Sequence, residues 1–158
     1  MKGKLTYFSP LKRPVTSLGD GRRFSKFSAI PRLLRYFLDF RSKRRTDLRV
    51  VASLRNQLNS RSSRQIDRGW IGNDQVRAAS AALSDSLWKR LGWQVEKLSG
   101  DDPMGLLLFS EDDLKVLEIH IDLEDWLGKK MDPQFFNGPF TGFSFRQAVE
   151  WLATARRG

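Results

Sequence analysis

Glu118, His120 and Asp122 stand two residues apart in Leu114–Leu123 (LKVLEIHIDL), where apolar and polar residues alternate. Alternation of this kind predicts a strand, with Leu117, Ile119, Ile121 and Leu123 on one face and Val116, Glu118, His120 and Asp122 on the other. Neighbours on one strand face sit roughly 6.5–7 Å apart. Two carboxylates and an imidazole at that spacing have the donor types for a divalent metal or an activated water, and Asp112, Asp113 and Asp125 lie close in sequence. The plain reading is a solvated strand face, because any half-buried strand shows this alternation. No metal site is assigned, and Glu118, His120 and Asp122 stay as weak candidates. His120 is the only histidine, there is no cysteine, and no nucleophile–base pair is recognisable. The chain therefore reads as a non-enzyme that implies no cofactor.

A second set of residues has a clearer physical purpose. The first 68 residues hold 18 Lys and Arg against 4 Asp and Glu, a formal +14, whereas residues 69–158 carry a formal −4. A block this basic seeks a polyanion. Arg32, Arg35, Arg41, Lys43, Arg44, Arg45, Arg49 and Arg55 are its candidate phosphate contacts, with Arg61 and Arg64 beyond them. Arginine suits planar, bidentate phosphate recognition. Phe24, Phe27, Tyr36, Phe37 and Phe40 are interleaved and could stack on unpaired bases. The competing reading is that these rings pack the segment onto the acidic half and some arginines pair internally.

A third set is aromatic. Gln134–Phe145 (QFFNGPFTGFSF) places Phe135, Phe136, Phe140 and Phe143 around Gly138, Pro139 and Gly142. Such a loop either anchors itself to its own core or offers its rings to a protein partner.

The elements that must position these residues follow from pattern and punctuation. Residues 1–28 carry Pro10, Pro14, Gly19 and Gly21 with no sustained period, which predicts an extended basic arm. Its Ser/Thr-containing, acid-poor composition is also that of an organelle transit peptide. Residues 29–68 read as a basic helical segment. Pro31 suits a first turn, Ile30, Leu33, Leu34, Phe37 and Leu38 follow at helical spacing, and Leu48, Val51, Leu54 and Leu58 resume the stripe after RSKRRT.

Residues 69–158 hold all five tryptophans and read as a compact domain. Asn73 is placed to cap a helix running to about Leu91 and ended by Gly92, with Val76, Ala79, Leu83, Leu87 and Trp88 inward. WQVEKL, GLLLF and LKVLEIHIDL read as three strands. Ser144 and Gln147 have capping-box spacing for a last helix. The expected fold is α+β: a basic helical N-terminal extension followed by an α-β-β-β-α domain.

This order of elements brings a resemblance with it. LWKRLGWQVEKLSG, then GLLLF, then LKVLEIHID resembles the core of restriction-endonuclease-like proteins, the PD-(D/E)XK group, over residues 74–122. The resemblance implies a metal-binding Asp near Leu106, where no acid stands; Asp102 lies in the preceding turn. Glu118 matches the acidic position of the third strand, and His120 stands where the family has Lys. With Asp and Lys missing, the resemblance implies a degenerate metal-dependent nuclease relative.

Nucleic acid, DNA or RNA, is thus the first expected partner. An acidic protein surface met by an adaptor subunit comes second. An anionic membrane face comes third, because Ile30–Phe40 is amphipathic and flanked by arginine. No apolar run reaches the length needed to span a bilayer, so the reading is of a soluble, intracellular protein.

Overall fold

The computed structural model describes residues 10–12, 47–110 and 112–156. The expected helix at Ile30–Phe40, and Arg32, Arg35, Arg41, Lys43, Arg44 and Arg45, lie outside the described residues.

The described chain is helical. Residues 47–59 form α1. It is followed by α2 (Asp74–Leu91), the single-turn α3 (Met104–Leu107), α4 (Asp113–Leu127), the short α5 (Pro133–Asn137) and α6 (Phe145–Ala155). Turns of 3₁₀ helix occur at Ser63–Gln65, Val95–Lys97 and Pro139–Gly142. Among the described residues the only extended pairing is an isolated antiparallel bridge between Pro103 and Ser144.

The α-β-β-β-α expectation is therefore overturned. Val95–Lys97 is a 3₁₀ turn where WQVEKL suggested a strand. GLLLF supplies most of α3, which begins just after Pro103, a residue that cannot donate in a ladder. The segment read as the third strand is the body of α4. Its ends carry the helix signals: the Asp112 carboxylate accepts from Leu114 N–H, and Gly128 closes the helix at φ 72°. The same ten residues satisfy two periods. Leu117, Ile119, Ile121 and Leu123 alternate, but Val116, Ile119, His120 and Leu123, continued by Leu127, recur at helical spacing, and all of these but the half-buried Val116 are buried. Packing selects the second period. The segments matched to the second and third strands of the endonuclease-like core are thus helical here.

The capped helices form where their punctuation places them. On α2 the Asn73 side chain accepts from Val76 N–H at 2.9 Å, and Gly92 ends the helix in the left-handed region at φ 72°. On α6 the Ser144 hydroxyl accepts from Gln147 N–H while the Gln147 side chain accepts from Ser144 N–H.

One hydrophobic core runs through these elements. Ala79, Leu83 and Leu87 of α2 meet Ile119 and Leu123 of α4 and Ala148, Val149 and Leu152 of α6. Val50, Leu54 and Leu58, at i, i+4 and i+8 on α1, are fully buried in the same core, together with Leu11. α1 and Leu11 thus share one core with the helices that follow residue 68.

Polar anchors fix this arrangement. Arg61 extends the buried stripe of α1 by one more turn and meets Asp102, which is fully buried. Its Nη1 and Nη2 donate to Asp102 Oδ2 and Oδ1 at 2.6 and 2.7 Å. The same carboxylate accepts from the backbone N–H of Leu11 and Ser99. The buried Trp93 indole donates to the Leu107 carbonyl at 2.7 Å, tying the end of α2 to α3.

Candidate nucleic-acid interface

Each candidate residue can be placed from the helix that carries it. In a helix of 3.6 residues per turn, positions two apart point roughly 200° away from each other. Glu118 and His120 consequently lie on opposite sides of α4, whereas Glu118 and Asp122, four apart, share one side.

That side faces α2. Arg90 Nη1 reaches Glu118 at 3.0 Å, and Arg90 Nη2 and Nε donate to Asp122 at 2.8 and 2.9 Å. The Ser86 hydroxyl donates to the same carboxylate at 2.7 Å. The hydrogen bonds from Arg90 and then Ser86 hold Asp122 below its ordinary pKa, and Asp122 in turn raises that of Arg90. These carboxylates brace two helices.

His120 sits on the other side, against the loop after α4. Its ring stacks on Phe136 at 4.6 Å between centroids, and Nε2 lies 3.1 Å from the Met131 carbonyl. Glu124 accepts from Met131 N–H and from Lys130 Nζ, at 2.8 and 2.9 Å. The Lys130 bond first, then the Met131 bond, depress the Glu124 pKa. Among the described residues no group of three His, Asp or Glu side chains gathers to hold a metal.

The aromatic loop closes on itself. Phe136 and Phe140 are buried and stack at 5.4 Å, Phe135 packs on Trp151 at 4.7 Å, and Phe143 lies edge-on to Phe135 at 6.1 Å. Phe136 and Phe140 thus lie inside the globule, while Phe135 and Phe143 are half-buried against it.

A cleft of about 890 Å³ lies beside this loop. Asp47, Asp113 and Glu124 line it together with His120, Leu117 and Ile121. Three carboxylates make it a poor place for a phosphate. Next to it, α4 exposes Leu114, Leu117 and Ile121 at 68%, 51% and 46%.

The arginines have divided roles. Arg61 is committed to Asp102 in the interior, as the internal-pairing reading anticipated for part of the basic segment. Arg49, Arg55 and Arg64 are exposed, Arg55 lying over the Trp93 ring at 5.9 Å. Arg68 is exposed as well, and its Nη2 donates to the neutral Val95 carbonyl at 3.1 Å.

Arg68 belongs to a feature the sequence reading did not identify. A groove of about 400 Å³ runs along the outer side of α2, lined by Arg68, Arg77, Ser80, Ser84, Asp85 and Trp88 among others. Trp88, expected on the buried side, is 55% exposed. Its neighbour Leu87 takes the buried position. The signal was present in the sequence: Arg77, Ala81, Ser84 and Trp88 recur at spacings of four, three and four, with small residues between a cation and an aromatic ring.

Among the described residues, no helix is long and apolar enough to cross a membrane. Comparison with protein-family models, with curated proteins and with solved structures finds no match to this chain.

Proposed function

We propose that this protein binds nucleic acid without catalysis, through phosphate contacts made by the arginines and lysines of its first 68 residues. The observation that supports this is the charge division. Exposed Arg49, Arg55, Arg64 and Arg68 are among the 18 Lys and Arg that give the first 68 residues a formal +14, against a formal −4 for residues 69–158. The buried pair uses one arginine, Arg61, against one acid, Asp102, and leaves most of this excess unspent. Phosphate contacts of this type give strong salt dependence and weak sequence preference. The test is binding of the full chain to labelled single- and double-stranded DNA and RNA at roughly 0.15 M salt. Absence of binding to every one of them at that salt removes the reading.

A nuclease role draws no support from the site, because Glu118 and His120 point away from each other and Glu118 is engaged by Arg90.

A second reading, an adaptor subunit, is favoured by α4. Leu114, Leu117 and Ile121 form an exposed apolar stripe at i, i+3 and i+7 beside the large cleft. Exposed stripes of this kind accept an amphipathic partner helix. Leu117→Asp with Ile121→Asp would abolish capture of such a partner while leaving nucleic-acid binding intact. Persistence of capture excludes this surface.

A further inference from the structure

A tryptophan more than half exposed on a helix, in a groove that two arginines also line, has a specific use. The groove on the outer side of α2 puts Arg77 near the start of the helix and Trp88 near its end, roughly 16 Å apart along the axis, with Ser80, Ala81 and Ser84 between them. Arg68 borders the same groove from the preceding loop, held by its bond to Val95. Small residues line the groove between Arg77 and the exposed indole.

We propose that this groove binds an unpaired strand of nucleic acid, with a base stacked on Trp88 and neighbouring phosphates held by Arg68 and Arg77. The inference rests on the nucleic-acid reading above and adds to it a preference for single strands.

The chemistry is complementary on each count. Every nucleobase presents a π face, so stacking on an exposed indole is tolerant of sequence, and a base inside a duplex has no face to offer. Guanidinium groups suit phosphate oxygens in a bidentate contact. The two carboxylates nearby are already offset. Asp85 pairs with Lys89 at 2.6 Å, and Asp74 pairs with Arg77 at 3.0 Å. Both are exposed surface pairs of the kind that contribute little, so Arg77 can exchange Asp74 for a phosphate at small cost. Arg68 is the last cation of the basic first 68 residues, so in sequence the groove adjoins that segment.

The experiment compares the full chain with Trp88→Ala, Trp88→Phe and, as a control on another face, Leu114→Ala. Each is titrated with labelled oligo(dT), oligo(U) and a mixed-sequence duplex at one salt concentration, with circular dichroism to show that all fold. The expected result is a loss of about 5- to 150-fold in single-strand affinity for Trp88→Ala, the range for one stacked base. The preference for single over double strand falls with it, Trp88→Phe retains most of the affinity, and Leu114→Ala changes nothing. The wild-type affinities for oligo(dT) and oligo(U) show which of the two is the better ligand. If the wild type binds nucleic acid but Trp88→Ala binds single strands equally well, the groove is not the site and the phosphate-binding reading survives. If the wild type binds no nucleic acid, both fall together.

Discussion

Arg61 and Asp102, 41 residues apart, form a doubly hydrogen-bonded ion pair with side chains 5% and 0% exposed. The pair joins the segment that carries the positive charge to the domain that carries the fold. The remaining acceptor capacity of the Asp102 carboxylate is taken by the N–H groups of Leu11 and Ser99, so three separate stretches of chain converge on one side chain. The Asp102 main chain adds a fourth, since its carbonyl accepts from Phe145 N–H at the start of α6.

Removing one partner leaves the other charged and buried. Asp102→Ala or Arg61→Met should each destabilise the fold by about 3–5 kcal/mol in urea unfolding. Joint replacement by Arg61→Met and Asp102→Leu should recover only part of that loss, because Leu11 and Ser99 N–H would then lack an acceptor. Full recovery would mean that the two backbone bonds add nothing.

Leu11, within the expected N-terminal arm, is packed in the core. It is 3% exposed, and the Gln57 side chain brackets the backbone of Lys12 through two hydrogen bonds. Leu11→Ala should cost about 2–5 kcal/mol, the range for a truncated core leucine. Lys12→Ala, one residue on, should change stability by less than about 0.5 kcal/mol. Thermal unfolding of the two variants side by side checks this.

Two neighbours at the end of α2 allow a sharper comparison. Gly92 stands at φ 72°, where a Cβ meets no neighbouring atom but strains the backbone, so Gly92→Ala should cost about 1–2 kcal/mol. Trp93→Phe keeps most of the ring and removes the donor to the Leu107 carbonyl, leaving a buried acceptor unpaired. Its cost should be about 1–3 kcal/mol. Equal stability of Trp93→Phe and wild type in urea unfolding would show that the bond contributes nothing net.

The Arg90–Asp122 brace should appear in the acid limb of stability. Asp122 titrates lower in the folded chain than in the unfolded one. Its contribution is therefore complete above about pH 4 and fades as pH falls through the folded value. Asp122→Asn should lower stability at neutral pH and flatten the dependence below pH 4. The effect should be modest, because both side chains are partly exposed and screened. Parallel curves for the two proteins between pH 2 and pH 5 would contradict the assignment.

Element ends were more legible in this sequence than element types. Asn73, Gly92, Ser144 and Gln147 mark the limits of α2 and α6 through local hydrogen bonds that need no tertiary partner. The middle of the domain was misread because LKVLEIHIDL fits two periods, and the choice between them is made by burial against α2, which local pattern does not carry. The misreading had a consequence for chemistry: Glu118, His120 and Asp122 converge on a strand and diverge on a helix. Trp88 was misplaced for a related reason. At the end of an apolar stripe either Leu87 or Trp88 can take the inward position, and Leu87 takes it while Trp88 stays exposed. The role of Arg61 was visible only as an open choice between a phosphate and an internal acid, since its partner lies 41 residues away in a turn.

Electrostatic binding by the N-terminal segment is the central claim, and the salt dependence of affinity tests it most directly. Full-length protein would be compared with a variant carrying Arg41→Ala, Lys43→Ala, Arg44→Ala and Arg45→Ala, which leaves Arg61, Leu54 and Leu58 in place. For wild type, the logarithm of affinity should fall linearly with the logarithm of salt concentration, with a slope of about −0.9 per duplex phosphate contact or −0.7 per single-strand contact. The variant should bind more weakly, with a slope shallower by about 0.7–0.9 for each contact removed. Identical slopes for the two proteins, or a wild-type affinity indifferent to salt, would contradict the account.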